Sequence, residues 1–204
     1  METLIRQVID IRKKCHRYGD NVDSIHARGC FASMFNFATL TLELLSHYYD
    51  QWKGIRIVKT KEDLKRARDE NAERCKEITK MQFVLAISSI EYRAKETIKL
   101  YPKKPLAKWF GKQKRVYLSG IMDESKRIGL IDNKERELWD CILTVRNSVV
   151  HNNAIADRHR KYQIDAITVS FVKGKMLRGK LDFFVKLTDK AVDLYYSWIR
   201  QLTK

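Results

Sequence analysis

Apolar residues recur at helical spacing from the start of the chain. Leu4, Ile5, Val8, Ile9 and Ile11 mark one face of a helix over residues 3–17, which Gly19, Asp20 and Asn21 end. A second and more apolar run, over about 25–52, carries Phe31, Met34, Phe35, Phe37, Leu40, Leu44 and Leu45 and reads as a buried helix closed by Gly54. Residues 59–80 interleave opposite charges three and four apart, among them Glu62, Lys65, Arg66, Asp69, Glu70, Glu73 and Arg74, which supports a solvated helix. From Met81 to Leu100 the pattern turns apolar through Phe83, Val84, Ile87, Ile90 and Ile98. One long helix over about 60–100, solvated first and buried later, accounts for both stretches.

Pro102 and Pro105 break that helix. After the short basic-aromatic segment LAKWFGK (106–112), a helix is expected over about 115–128, with Gly129 at its C-terminal cap. Asp132 or Asn133 caps the next helix, with Glu135 in its first turn. That helix carries Leu138, Trp139, Ile142, Leu143 and Val145 and runs to about His151, where Asn152 and Asn153 suit its end. The tail is rich in β-branched residues at 164–172 (IDAITVSFV) and apolar again at 181–187 (LDFFVKL). With KGKMLRGK between them, these segments predict a β-hairpin. A final helix over about 188–202 bears Leu194, Tyr195, Trp198 and Ile199.

The expected fold is therefore mainly α, a helical bundle with a small β-hairpin before the last helix. Composition agrees: 8 Gly and 2 Pro in 204 residues are too few for an all-β sandwich or barrel, and 44% hydrophobic residues can form a core. One domain over 1–204 suits the length, with 1–74 either an extension or part of the bundle. No run of apolar residues is long enough to cross a membrane, and the N-terminal METLIRQVIDIRKK lacks an apolar signal core. Cys15, Cys30, Cys75 and Cys141 are widely and irregularly spaced, as expected of core thiols in a reducing cytoplasm rather than a disulfide framework or zinc site. No metal and no cofactor is expected.

Charge narrows the choice of partner. With 41 Lys+Arg against 25 Asp+Glu, the net charge is +16, which favours a polyanion. The excess concentrates in two stretches. Lys103, Lys104, Lys108, Lys112, Lys114 and Arg115 lie in a segment without acidic residues, interleaved with Trp109, Phe110 and Tyr117. Arg158, Arg160, Lys161, Lys173, Lys175, Arg178 and Lys180 follow later, against Asp165 alone. Cations with aromatics suit phosphate contact and base stacking on RNA, and solvated loops with buried aromatics are the competing reading. Gly174 to Lys180 has the spacing of a phosphate-binding loop, but Leu181 stands where Ser or Thr should bind magnesium.

One local motif carries chemistry: Arg146-Asn147-Ser148-Val149-Val150-His151. Asn147 and His151 are four apart and share a helix face. Arg146 and His151 are five apart, which splays them by about 140° on an ideal helix. A long Arg reach, or a helix ending near Val150, would bring both to one pocket. Such a pair offers a cation for a phosphate and an imidazole for proton transfer. That suits metal-independent RNA cleavage, in which the 2′-hydroxyl attacks its adjacent phosphate; DNA lacks that group. One imidazole does not easily serve as base and acid together, so a symmetric dimer would supply two.

Residues 126–153, KRIGLIDNKERELWDCILTVRNSVVHNN, resemble the motif-bearing final part of HEPN domains. The hallmark of that family is Arg, four to six residues, then His, often with Asn directly after the Arg; here these are Arg146, Asn147 and His151. Residues 88–99, SSIEYRAKETIK, are similar to an earlier long helix of the family that carries a polar residue facing the site, a role that falls to Glu91. The resemblance covers about 75–204. It implies a helical bundle that usually dimerises with its motifs at the interface. It also implies a metal-independent endoribonuclease, of the kind found in toxin–antitoxin, phage-defence and CRISPR-associated systems, with an antitoxin or defence partner protein. Other members are non-catalytic RNA-binding or protein-interaction modules. Some toxins of the family have a modifiable Tyr two residues after the His, where this chain has Asn153.

Overall fold

The computed structural model describes residues 1–54, 60–151, 154–164, 167–177 and 179–204. Its elements are α1 (Glu2–Asp20), α2 (Ile25–Gly54), α3 (Lys61–Lys99), α4 (Pro105–Phe110), α5 (Leu118–Arg127), α6 (Asn133–His151), β1 (Arg160–Ile164), β2 (Ile167–Phe171) and α7 (Phe183–Thr203). The chain is mainly α with a two-stranded antiparallel hairpin before the last helix, as the sequence pattern predicts. No helix of the described residues is long and apolar enough to cross a membrane.

Local signals set most boundaries. Thr60 caps α3 by accepting from the Asp63 N–H at 3.1 Å. Asp132 accepts from the Glu135 N–H at 2.7 Å while Glu135 accepts from the Asp132 N–H at 3.2 Å, a reciprocal capping box at the start of α6. Between α5 and α6, Gly129 adopts φ +77°. The Leu130 N–H then reaches the Ser125 carbonyl at 2.8 Å, and the Gly129 N–H reaches Lys126 at 3.1 Å. Only glycine enters this left-handed cap without a steric cost.

Helices α1, α2, α3 and α7 pack on one another, and α5 and α6 close the bundle against them. Leu4, Val8 and Ile11 of α1 belong to the same apolar cluster as Phe31, Phe83, Trp139, Tyr195 and Trp198. Residues 1–54 thus contribute to the core that α7 seals. Polar bonds fix the layers. Lys14 reaches both Asp189 and Asp193, Tyr18 donates to Asp193 at 2.8 Å, and the Tyr18 and Tyr196 rings stack with centroids 3.8 Å apart. Fully buried Trp198 donates its indole N–H to Ser125 Oγ at 2.9 Å.

The hairpin lies earlier than the sequence pattern suggests. Both strands fall within 160–171, pairing Arg160 with Phe171 and Tyr162 with Val169. Residues 181–187 are not a strand: α7 begins at Phe183. Phe183, Leu187, Ala191, Leu194, Trp198 and Leu202 are all buried at helical spacing, so the apolar run belongs to the period of α7. The glycine-containing segment after β2 is the connection to α7, with Gly174 at φ +74°. Ile155 and Met176 form a further antiparallel bridge. Each lies five residues beyond the Arg160–Phe171 pair, so the ribbon resumes in register below an interruption. The expected helix end at Asn152 and Asn153, and Arg178, lie outside the described residues.

Candidate active site

The motif occupies the last turns of α6. Leu138, Trp139, Ile142 and Val145 bury one side of that helix and fix its rotation. Asp140, Thr144, Asn147 and His151 recur at spacings of four, three and four, and so form a single opposite face. α6 continues unbroken through His151. Both Arg146 and His151 thus lie on helical backbone, where an offset of five residues splays them by about 140°.

Arg146 is half-buried, and its Nη1 donates to the Asn147 side-chain oxygen at 3.0 Å. Its Nε is buried and has no hydrogen-bond partner among the described residues. No acidic side chain among the described residues pairs with Arg146. Asn147 and His151 are exposed. The structure thus joins Arg146 to Asn147. Among the described residues, no hydrogen bond or ion pair links either of them to His151 or Glu91. Glu91 sits on α3 and pairs with Lys95 at 3.0 Å.

The same face of α6 carries a cluster that sequence reasoning missed. Asp140 Oδ2 accepts from Arg160 Nη1 and from the Tyr162 hydroxyl, each at 2.6 Å. Arg160 also donates to the Tyr162 oxygen at 2.6 Å. Thr144 Oγ1 lies 3.4 Å from the same hydroxyl. Burial pushes the Tyr162 phenol above its ordinary value, and its bond to Asp140 adds to that shift. These bonds seat β1 on α6. A single sequence offered one faint signal, the alternation of Arg160 and Tyr162 along a strand, and nothing naming Asp140 as their partner.

The basic residues separate into two kinds. Lys103, Lys108, Lys112, Lys114 and Arg115 are exposed and Lys104 is half-buried, and none makes an ion pair among the described residues. Lys161 is exposed, while Arg158 approaches Asp157 at 3.7 Å. Arg160 is held by Asp140 and Tyr162. Trp109 and Phe110 pack against the core, and Tyr117 is 61% exposed. The four thiols are buried; burial pushes those of Cys15, Cys30 and Cys141 up to about 12, which leaves them protonated near neutral pH. Among the described residues, no three His, Cys, Asp or Glu side chains converge as a metal site. A recess of about 530 Å³ opens beside the ribbon, lined by Ala156, Phe171, Val172 and Met176 among others, with no motif residue on its walls.

Comparison with family models, curated proteins and solved structures gave no match to this chain.

Proposed function

We propose that the protein is a metal-independent endoribonuclease of the HEPN kind. The observation that carries this reading is the state of Arg146: a half-buried guanidinium oriented by Asn147, with no described acidic partner to neutralise it. An unneutralised, oriented cation is suited to the extra charge that develops on a phosphate under attack. The 2′-hydroxyl of RNA attacks its own adjacent phosphorus and loses its proton to a neutral imidazole. A protonated imidazole donates to the departing 5′-oxygen, leaving a cyclic phosphate and a 5′-hydroxyl. His151 supplies that group, exposed and four residues beyond Asn147.

The splay of Arg146 and His151 on one continuous helix favours a site shared by two copies of the chain. In a symmetric pair, one His151 acts as base and the other as acid, and the two copies of Arg146 flank the phosphate. An antitoxin or defence partner would control such an enzyme.

The test is incubation with RNA in EDTA, comparing wild type with His151→Ala. The expected result is cleavage by wild type alone, with a cyclic 3′ end. Activity that requires Mg²⁺ or survives the substitution overturns the reading. The same splay supports a second reading, a non-catalytic RNA-binding or protein-interaction module. Salt-dependent RNA binding with the RNA recovered intact would favour it.

A further inference from the structure

Four aromatic residues, Tyr101, Trp109, Phe110 and Tyr117, lie in the acid-free stretch before α5, and the structure treats them differently. Tyr101, Trp109 and Phe110 pack on the core, and Trp109 rests beside Gly120. Tyr117 alone is turned out, 61% exposed, with no ring or cation contact among the described residues. Its near neighbours Lys112, Lys114 and Arg115 are all exposed and unpaired there. Tyr92, the other strongly exposed tyrosine, differs: Arg93 lies 5.4 Å from its ring centroid, and Glu91 and Glu96 stand close by in sequence.

An ion pair links the helix that follows Tyr117 to α6. The short turn at 128–132 joins α5 to α6, and Asp123 of α5 meets Arg136 of α6 at 2.7 Å. From that pair, Tyr117 lies six residues back, just before α5 begins, and Arg146 ten residues on toward the end of α6.

We propose that Tyr117, with Lys112, Lys114 and Arg115, is a base-stacking subsite that favours an unpaired RNA strand over a duplex. An unstacked base lies on the phenol ring, while the three cations follow the phosphates on either side. A duplex keeps its bases stacked on one another and offers no free face to the ring. The placement of this subsite beside the reacting phosphate rests on the ribonuclease reading above; the stacking itself does not.

The experiment measures binding in EDTA by fluorescence anisotropy, in a His151→Ala background that prevents cleavage. The probes are an unstructured oligouridylate and an RNA duplex of equal length. Tyr117→Ala should weaken binding of the oligouridylate about tenfold, and Tyr117→Phe should leave it unchanged. The salt dependence should stay the same in Tyr117→Ala and become shallower in Lys112→Ala, Lys114→Ala and Arg115→Ala. Thermal melts confirm folding of each variant. Equal affinity for the RNA duplex, or full affinity in Tyr117→Ala, overturns the subsite. Tyr117-dependent binding without cleavage by the wild type keeps the subsite and removes the ribonuclease. Cleavage indifferent to Tyr117 does the reverse.

Discussion

Arg146 donates to the side-chain oxygen of Asn147 at 3.0 Å, so two consecutive residues that point about 100° apart on α6 act as one hydrogen-bonded unit. The acceptor is a neutral amide, which orients the guanidinium and leaves its charge intact. Asn147→Asp would replace it with a carboxylate and turn the contact into an ion pair. Cleavage in EDTA should fall by ten-fold or more in Asn147→Asp, and by less in Asn147→Ala. An aspartate variant as active as wild type would contradict the role given to Arg146.

A shared site makes a quantitative prediction for mixed assemblies. When wild-type and His151→Ala chains are co-refolded in equal amounts, about a quarter of random pairs hold two wild-type chains. If both imidazoles are needed, activity should fall to about a quarter of the all-wild-type value at the same total concentration. Chains that act alone would retain about half. Solution mass, measured on the same samples, shows whether pairs form.

The bonds of Asp140 to Arg160 and Tyr162 should hold the hairpin to α6. Tyr162→Phe removes the hydroxyl's bond to Asp140 and the one it accepts from Arg160, and should cost about 1–2 kcal/mol in urea unfolding. Asp140→Ala leaves Arg160 and Tyr162 without that acceptor and should cost at least as much. Amide exchange should speed up in β1 and β2 before it does in α3. Unchanged midpoints in both variants would show that the cluster adds no stability.

Lys14 links α1 to α7. Burial alone would lower its ammonium, but the bonds to Asp189 and Asp193 override this and hold it above its usual 10.5. A folded value above the unfolded one stabilises the fold in full below about pH 10.5, and the contribution is lost as pH rises past the folded value. Lys14→Met should therefore be less stable than wild type by about 1–2 kcal/mol at pH 8. The gap should begin to narrow above about pH 10.5 and close once pH passes the folded value. A gap that persists at high pH would assign the loss to packing.

Much of the helical architecture was legible because it is local. The charge pattern of residues 61–80 and the apolar pattern after Met81 both repeat at helical spacing, and α3 runs through both as one helix. The caps at Asp132 and Gly129 were legible for the same reason, since each needs only its own neighbours. The hairpin was misplaced because Phe183, Phe184 and Val185 look alike in a strand and in the first turn of a buried helix. Only the burial of Leu187, Ala191 and Leu194 behind them separates the two.

By itself, the sequence determined the helical periods, the caps, the positive charge and the R-N-x-x-x-H spacing, all properties of residues a few positions apart. The tertiary structure decided which groups meet across long separations. It committed Arg160 to Asp140, seated Trp109 on the core, left Tyr117 in solvent and gave Arg146 no described acidic partner. The physical reason is that pairing and burial follow from how helices stack. A side chain's availability to a phosphate depends on what the rest of the fold places beside it.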